Sequence, residues 1–478
     1  MKRSLLWLIP ALFLAGSGCT MAPHYVRPES SVAASWPEGD AYPDSLSEAG
    51  LPAVTELKEE EFFPDSRLQQ VLALATQNNL DLRLAALNVE RVRAAYKIKR
   101  GQLLPAVNAT GSEYRSKIPG DVYSTGGNFT TEEYKVDFGI SAWEIDLFGR
   151  LRSEKNQAFE QYLASAEGRR GAELSLVSAV GQSYLSLAAS REQLALAQST
   201  LESQRSIYEL IQQQYDAGLV SKLDLRRAQM QMNAAQAELA RYTRQVAQQR
   251  NALDLLAGAP VPDQLLPSGL DDIAAPPEVS AGLSSEVLLR RPDIMAAEHE
   301  LKAANAFIGV ARAAFFPRIS LTALIGTASR SLSGLFSSGS GSWTFNPQVT
   351  THLFDLRAPS GLRASKAQKD IAVTQYQKTI QTAFKEVADA LAAKGTLDEQ
   401  VAAQDSMVAA AQEANQLAQD RYSKGLDSYL SVLDSQRTLY ASRQGLVALR
   451  LAKLANRVQL YAVLGGGASN EKQGKVEK

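Results

Sequence analysis

Tyr215-Asp216-Ala217-Gly218-Leu219-Val220-Ser221-Lys222-Leu223-Asp224 decides the fold, because it closes one exceptionally long apolar repeat and opens another. Before it, Val180, Leu187, Leu194, Leu201, Tyr208 and Tyr215 recur at strict seven-residue spacing within the run from Arg150 to Tyr215. No proline occurs between Pro119 and Pro260, so nothing in that interval forces a break. The spacing predicts one helix of roughly 65 residues, about 100 Å at 1.5 Å rise per residue. A seven-residue apolar repeat keeps one seam against a partner helix and imposes a left-handed supercoil. Gly218 supplies the left-handed residue that ends such a helix. Ser221 to Asp224 reads as a capping box that starts the return, and Leu225, Met232, Leu239, Val246 and Leu253 carry it back at the same spacing.

The same object recurs about two hundred residues later. Asp81 corresponds to Asp293, Pro105 to Pro317, and Asp146-Leu147-Phe148 to His352-Leu353-Phe354. Tyr215 with Gly218-Leu219 corresponds to Tyr422 with Gly425-Leu426, and Ala257-Gly258 to Leu464-Gly465. A second long helix is expected from about Ser360 to Tyr422, with a return marked by Leu426, Leu433, Tyr440, Val447, Leu454 and Tyr461. The chain is therefore a duplicated module, each copy holding a very long helical hairpin.

After each of those prolines the periodicity changes from helical to alternating. Tyr134, Val136, Phe138, Ile140 and Ala142 alternate with Lys135, Asp137, Gly139 and Ser141. Ile319, Leu321, Ala323 and Ile325, and then Trp343, Phe345, Val349 and Leu353, do the same; Val107 to Tyr114 forms a weaker strand. Each copy thus inserts a hairpin of about ten-residue strands, the length a tilted bilayer-spanning strand needs. The connecting loops are read as Ser116–Thr131 and Ala328–Ser342. Four strands cannot close a barrel, and lipid forbids an open sheet edge. Two copies would give eight strands, three would give twelve.

The net charge of −1 implies no nucleic-acid partner. Residues 1–18 read as a secretion signal: Lys2 and Arg3, then the apolar run Leu5 to Ala15, too short to span a bilayer as a helix. The run ends at the only cysteine, in Leu14-Ala15-Gly16-Ser17-Gly18-Cys19, which resembles a bacterial lipoprotein cleavage site. A single cysteine excludes internal disulfides and cysteine-based metal clusters. His24, His299 and His352 are read as ordinary histidines. No nucleophile–base pattern, metal spacing or phosphate loop appears, so the reading is not an enzyme and needs no cofactor.

These residues are similar to a known family, the TolC-like outer-membrane efflux factors, and within it the acylated NodT/OprM-type branch that serves tripartite resistance-nodulation-division (RND) pumps. The resemblance rests on Leu288-Leu289-Arg290-Arg291-Pro292-Asp293-Ile294 with Ala297-Glu298, and on Phe316-Pro317-Arg318-Ile319-Ser320-Leu321-Thr322. It also rests on Cys19 followed by Pro23-His24-Tyr25-Val26-Arg27-Pro28, on Trp143-Glu144-Ile145-Asp146-Leu147-Phe148-Gly149, and on Ser428 to Arg437. It implies an α+β membrane protein, a homotrimer whose β-hairpins form a twelve-stranded transmembrane barrel and whose helical hairpins form a periplasmic α-barrel. It further implies a drug-conducting duct joined to a periplasmic membrane-fusion adaptor and an inner-membrane RND transporter, and anchored in outer-membrane lipid by acyl chains (palmitate among them) on Cys19. The runner-up within ducts is the outer-membrane conduit of a type I protein-secretion system. A lumenless coiled coil would leave the alternating hairpins unexplained.

The expected organisation is a signal at 1–18, an extended acylated segment at 19–64 and a first repeat at 65–260. Within that repeat the strands lie at about 105–148 and the helical hairpin at about 150–257. A linker at 261–284 follows, then a second repeat at 285–466, with strands at about 317–354 and a helical hairpin at about 360–464, and a tail at 467–478. In the last helix a seam runs Leu430, Arg437, Gln444, Leu451 and Val458, polar toward the hairpin tip. Asp434 lies three residues before Arg437, which reads either as a solvated ion pair worth about 0.3–0.5 kcal/mol or as part of a gate. The resemblance places a periplasmic constriction here: Leu430 as an apolar ring, Asp434 as a carboxylate ring and Arg437 as a tie to a neighbouring helix. The tips, with Gly218, Leu219 and Ser221 in one hairpin and Gly425, Leu426 and Ser428 in the other, are expected both to cap helices and to dock the adaptor.

Overall fold

The computed structural model describes residues 20–29, 31–42, 54, 57–119, 129–280 and 284–466. The signal segment, Cys19 and the tail beyond residue 466 lie outside the described residues. The chain divides into two compact units.

The first unit comprises residues 1–29, 88–166 and 296–376. Its centre is a four-stranded antiparallel sheet in the order β1 (Val107–Ile118), β2 (Phe129–Glu144), β3 (Arg318–Ser329), β4 (Gly341–Thr350). The two hairpins of the duplicated module join through β2 and β3. The loop expected at Ser116–Thr131 is shorter than the sequence suggested, because Ser116 pairs with Thr131 and Ile118 with Phe129. Backbone pairing continues past the last alternating apolar residue; side-chain pattern reports the environment of a strand, not the end of its ladder. Register assigns the faces: Val107, Ala109, Phe138, Ile325, Trp343, Phe345 and Val349 share one, while Asn108, Thr110, Ser112, Asp137, Thr344, Asn346 and Gln348 share the other. Among the described residues no strand pairs with the outer edge of β1 or of β4.

The β2–β3 seam is irregular. Between Ile140 and Trp143 β2 has one residue more than its partner, a bulge that holds Ala142 at φ 50° and sends its N–H to Thr322 Oγ1 at 3.1 Å. Close by, the backbones approach so tightly at Gly326 that a Cβ there would collide with the Val136 carbonyl oxygen.

In the same unit the amino-terminal segment from Thr20 runs along α5 (Pro292–Ala313). Arg312 donates to the Met21 carbonyl at 3.0 Å and Asn305 to the Pro23 carbonyl at 2.7 Å. Glu298 accepts from Tyr25 Oη at 3.2 Å and Arg27 Nη2 at 2.7 Å, and it pairs with Lys302 at 3.0 Å. Burial pushes the Glu298 carboxyl up, but the Lys302 and Arg27 bonds outweigh it and hold the group below its ordinary value. Gly309 lets the segment close in, since a Cβ there would sit 2.8 Å from the Ala22 nitrogen. Residues 298, 302, 305, 309 and 312 follow helical spacing, so one stripe of α5 clamps the segment.

The second unit comprises residues 30–87, 167–295 and 377–478. α1 (Ser66–Asn78) packs on α4 (Lys222–Ala257), and Asn79 joins them by donating to the Leu256 carbonyl at 3.0 Å. α2 (Leu80–Gly101), α3 (Arg150–Asp216), α5 and α6 (Arg357–Ser423) have residues in both units; α4 and α7 (Tyr429–Val463) lie wholly in the second. α3 and α6 are both 67 residues long. α6 starts before the expected Ser360 and takes in Pro359, tolerated because first-turn N–H groups have no intrahelical acceptor. Val180 and Leu187 are fully buried, as the heptad demands. Arg291, buried, ties Asp293 and Glu386 (2.8 Å each) to the Val463 carbonyl (2.6 Å) at the end of α7. Among the described residues no helix is long and apolar enough to cross a membrane.

We expect Gly326→Ala to cost about 1–3 kcal/mol through overpacking of the β2–β3 seam. Thermal unfolding of the purified protein, followed by the loss of β-sheet circular dichroism, checks this; an unchanged midpoint would refute it.

Candidate functional site

The gate and docking residues singled out from the sequence lie at the two hairpin corners and the first turns of α7, all within the second unit, while Cys19 lies outside the described residues. Both corners end their first helix identically. Gly218 and Gly425 adopt φ 75° and 71°. Gly218 N donates to Tyr215 O (2.9 Å) and Leu219 N to Gln214 O (2.8 Å); Gly425 N donates to Tyr422 O (2.9 Å) and Leu426 N to Arg421 O (2.9 Å). That pair of bonds is the Schellman arrangement, which satisfies the orphan carbonyls of a helix end.

The two return helices start differently. Ser221 caps α4 by accepting the Asp224 N–H, but the expected box is half formed, because the Asp224 carboxylate takes the Ser221 hydroxyl at 2.6 Å. Ser428 does not cap α7 with its side chain. Asp427, one residue earlier, accepts from Ser428 N at 2.8 Å and Ser431 Oγ at 2.9 Å, and pairs with Arg421 at 3.4 Å. An ionised acceptor outcompetes a hydroxyl at the positive end of a helix. The Ser428 amide, then the Ser431 hydroxyl, hold the Asp427 carboxyl below the ordinary carboxylate range.

A single apolar cluster lies beneath both corners. Ile211 from α3, Leu225 and Ala228 from α4, and Tyr429, Val432 and Leu433 from α7 are buried together, with Tyr422 of α6 against them. The Tyr422 and Tyr429 rings are 5.5 Å apart, and burial pushes the Tyr429 hydroxyl up to about 12. The four helix ends therefore form one packed unit. Out of it project Leu219 and Leu426, 76% and 64% exposed.

Leu430, Asp434 and Arg437 lie along one exposed strip of α7. Among the described residues no ion pair joins Asp434 to Arg437. Instead the Gln231 side-chain oxygen on α4, in the amide orientation that satisfies both groups, accepts from Arg437 Nη2 at 2.8 Å and Nε at 3.1 Å. The guanidinium fork thus spends two donors on a neighbouring helix of its own chain, and the Asp434 carboxylate is left to solvent. Further along, Gln444 donates to Tyr242 Oη at 3.0 Å and accepts at its backbone carbonyl from Gln193 at 3.0 Å, while Gln204 donates to Gln436 at 3.0 Å. These amide partners were missed from the sequence. Their one signal was the glutamines scattered along α3 and α4, which spacing alone cannot pair. Among the described residues no group of histidine, cysteine, aspartate or glutamate side chains could hold a metal ion.

Comparison with known proteins bears on the chain as a whole. The sequence pattern of the family described as Outer membrane efflux protein matches residues 71–259 and 283–466, one stretch per repeat. The toluene efflux pump outer membrane protein TtgC of Pseudomonas putida is 44% identical over 471 residues, 98% of this chain and 96% of the relative. The antibiotic efflux pump outer membrane protein ArpC, also of Pseudomonas putida, matches with the same identity and coverage. The open-state crystal structure of the MtrE outer membrane channel of Neisseria gonorrhoeae superposes with a TM-score of 0.84 at 36% identity, covering 95% of this chain and all of that one.

We expect Ser221→Ala to cost about 1 kcal/mol as a lost helix cap. Ser428→Ala should be close to neutral, and Asp427→Ala should destabilise the α7 start more than Ser428→Ala does. Hydrogen-exchange protection of the corner amides measures this order, and equal losses for Ser428→Ala and Asp427→Ala would overturn it. Because the folded Asp427 carboxyl is depressed, its contribution holds above the ordinary carboxylate range and is lost as pH falls through its lowered value.

Proposed function

The chain belongs to the outer membrane efflux protein family, an exit duct in the bacterial outer membrane for an efflux pump, and from that premise we propose that it works as a homotrimer. In this reading it receives small molecules from a periplasmic adaptor and an inner-membrane RND transporter. The observation that carries the trimer is the sheet: four strands, one apolar face and two edges that no strand pairs with among the described residues. Lipid offers no water to an unpaired N–H or C=O, so the edges must meet other copies. Eight strands enclose a space that side chains fill; twelve leave a lumen for cargo. Three copies meet both demands.

The cargo class follows the relatives, whose names mention toluene and antibiotics. Those names favour apolar and amphiphilic small molecules over the secreted polypeptides of the alternative conduit. Acyl chains on Cys19 would add a lipid anchor, stable only where more than one chain is attached.

The strip on α7 is the proposed periplasmic gate. Threefold repetition turns Leu430 into an apolar ring and Asp434 into a carboxylate ring. Arg437 is the tie to a neighbouring helix in this reading, in place of the alternative ion pair with Asp434: by binding Gln231 it fixes α7 to α4, holding the rings in place from within each subunit. The exposed Leu219 and Leu426 form the adaptor contact, with Gly218, Ser221, Gly425 and Ser428 shaping the corners that present them.

Removing a hydrogen bond to a charged group at an exposed site costs about 1 kcal/mol, roughly a fivefold shift between closed and open states. Arg437→Ala and Gln231→Ala should therefore raise single-channel conductance in planar bilayers to a similar extent. Wild-type conductance in both variants would sink the latch. For docking, Leu219→Asp and Leu426→Asp spare the fold and should abolish cross-linking to the adaptor in variants that remain trimeric; retained cross-linking would count against the contact.

A further inference from the structure

The polar face of the sheet carries one isolated pair of opposite charges. Lys135 and Asp137 lie two residues apart on β2, so both point to that face, and Lys135 Nζ is 3.0 Å from Asp137 Oδ2. Resting on the trimer and duct reading, we propose that this pair, repeated once per subunit round the barrel, keeps that level of the lumen blind to the sign of charge on passing small molecules. Lys135 and Asp137 are then specificity-determining residues, each cancelling the preference the other would impose.

The first argument is position. Register sets Asp137 between Thr110 and Gly326, and Lys135 between Ser112 and Ala328. The face carrying Phe138, Ile325 and Trp343 turns to lipid, so the opposite face lines the water-filled interior. On that face, from the row of Thr322 to the row of Ala328, every other side chain of the four strands is uncharged. The next charges along β2 on this face lie outside those rows. Glu133 is past the last β2 residue that pairs with β3, and Glu144 is bound to Arg150 at 2.8 Å.

The second argument is how the pair is seated. Asp137 is the only fully buried position of β2. A Cβ on Gly326 would stand 2.8 Å from Asp137 Oδ1, so the missing side chain is what lets the carboxylate lie against β3. The Asp137 side chain is 11% exposed and that of Lys135 28%. The anion is fixed to the wall and its cation is the more accessible partner.

The third argument is what such a pair can do. An ion pair in contact with water contributes little to folding, so stability does not account for two charges on a wall of hydroxyls and amides. Their effect on the lumen is larger. Either charge alone would line the barrel with a ring of one sign, and such a ring concentrates ions of the opposite sign. Side by side, the two leave only a dipole, whose field falls off faster than that of a charge. Cationic and anionic small molecules therefore meet the same barrier at this level.

The test uses a local probe, so the charges of the α7 gate do not enter it. Thr110 is exposed and directly opposite Asp137. Thr110→Cys is placed in the full-length protein in outer membranes, and its rates of modification by a cationic (trimethylammonium-ethyl) and an anionic (sulfonatoethyl) methanethiosulfonate are compared. Protein lacking Thr110→Cys controls for Cys19. A unit charge about 7 Å away in water at about 0.01 M salt changes the cationic-to-anionic rate ratio about fivefold. Asp137→Asn should lower the ratio by that factor and Lys135→Gln should raise it. The double variant should return it to within about twofold of the parent. In about 1 M salt, where the Debye length is about 3 Å, every shift should vanish, whereas a displaced cysteine would keep its altered rates. Unchanged ratios in both single variants, shifts of the same sign, or shifts that survive high salt overturn the charge ring while the barrel stands. If Thr110→Cys reacts with neither reagent in a protein of trimeric mass, that face does not line water, and the duct reading falls together with the ring.

Discussion

Unpaired backbone at the outer edges of β1 and β4 governs this protein more than any side-chain contact. Each edge presents a row of N–H and C=O groups, and in hydrocarbon each unsatisfied group costs several kcal/mol. The apolar face carrying Phe138, Ile325 and Trp343 commits the sheet to lipid, and that commitment makes the edges intolerable in a single chain. Assembly is thus a condition of insertion.

Buried charge is handled alike in the two units. Glu298, nearly buried, is surrounded by Arg27, Lys302 and Tyr25, and Arg291 in the second unit by Asp293, Glu386 and a helix-terminal carbonyl. A buried charge is tolerable only with full compensation, and loss of one partner leaves the other stranded. Such clusters make poor moving parts. They fix the amino-terminal segment to α5 and the end of α7 to the start of α5.

Beyond the apolar cluster at the corners, α7 is held by other means from Gln436 to Gln444. Gln193, Gln204, Gln231 and Tyr242 contact it through hydrogen bonds, each worth about 1 kcal/mol net, where the opposite end of the bundle uses buried Val180, Tyr184 and Leu187. Amide bonds of this kind exchange with water at small cost, whereas apolar packing is lost outright when helices part. The amide-held stretch of α7, from Gln436 to Gln444, lies between two apolar-packed regions, the Tyr429, Val432 and Leu433 cluster at the corners and the region of Val180 and Leu187.

Local chemistry made much of this legible from the chain alone. Heptads, missing prolines and the corner glycines define α3, α4, α6 and α7, because periodicity and φ preference act within a few residues. Alternation located the four strands, and the arithmetic of four strands demanded partners. The resemblance to efflux ducts led to Leu430, Asp434 and Arg437. What the sequence could not decide were choices among equally good partners: Arg437 takes Gln231 over Asp434, and Asp427 displaces Ser428 as the cap. The ladder outruns the apolar pattern to Ile118, and α5 clamps the segment from Thr20. Those outcomes depend on which groups lie within about 3 Å once distant segments meet, a distance that only tertiary packing sets.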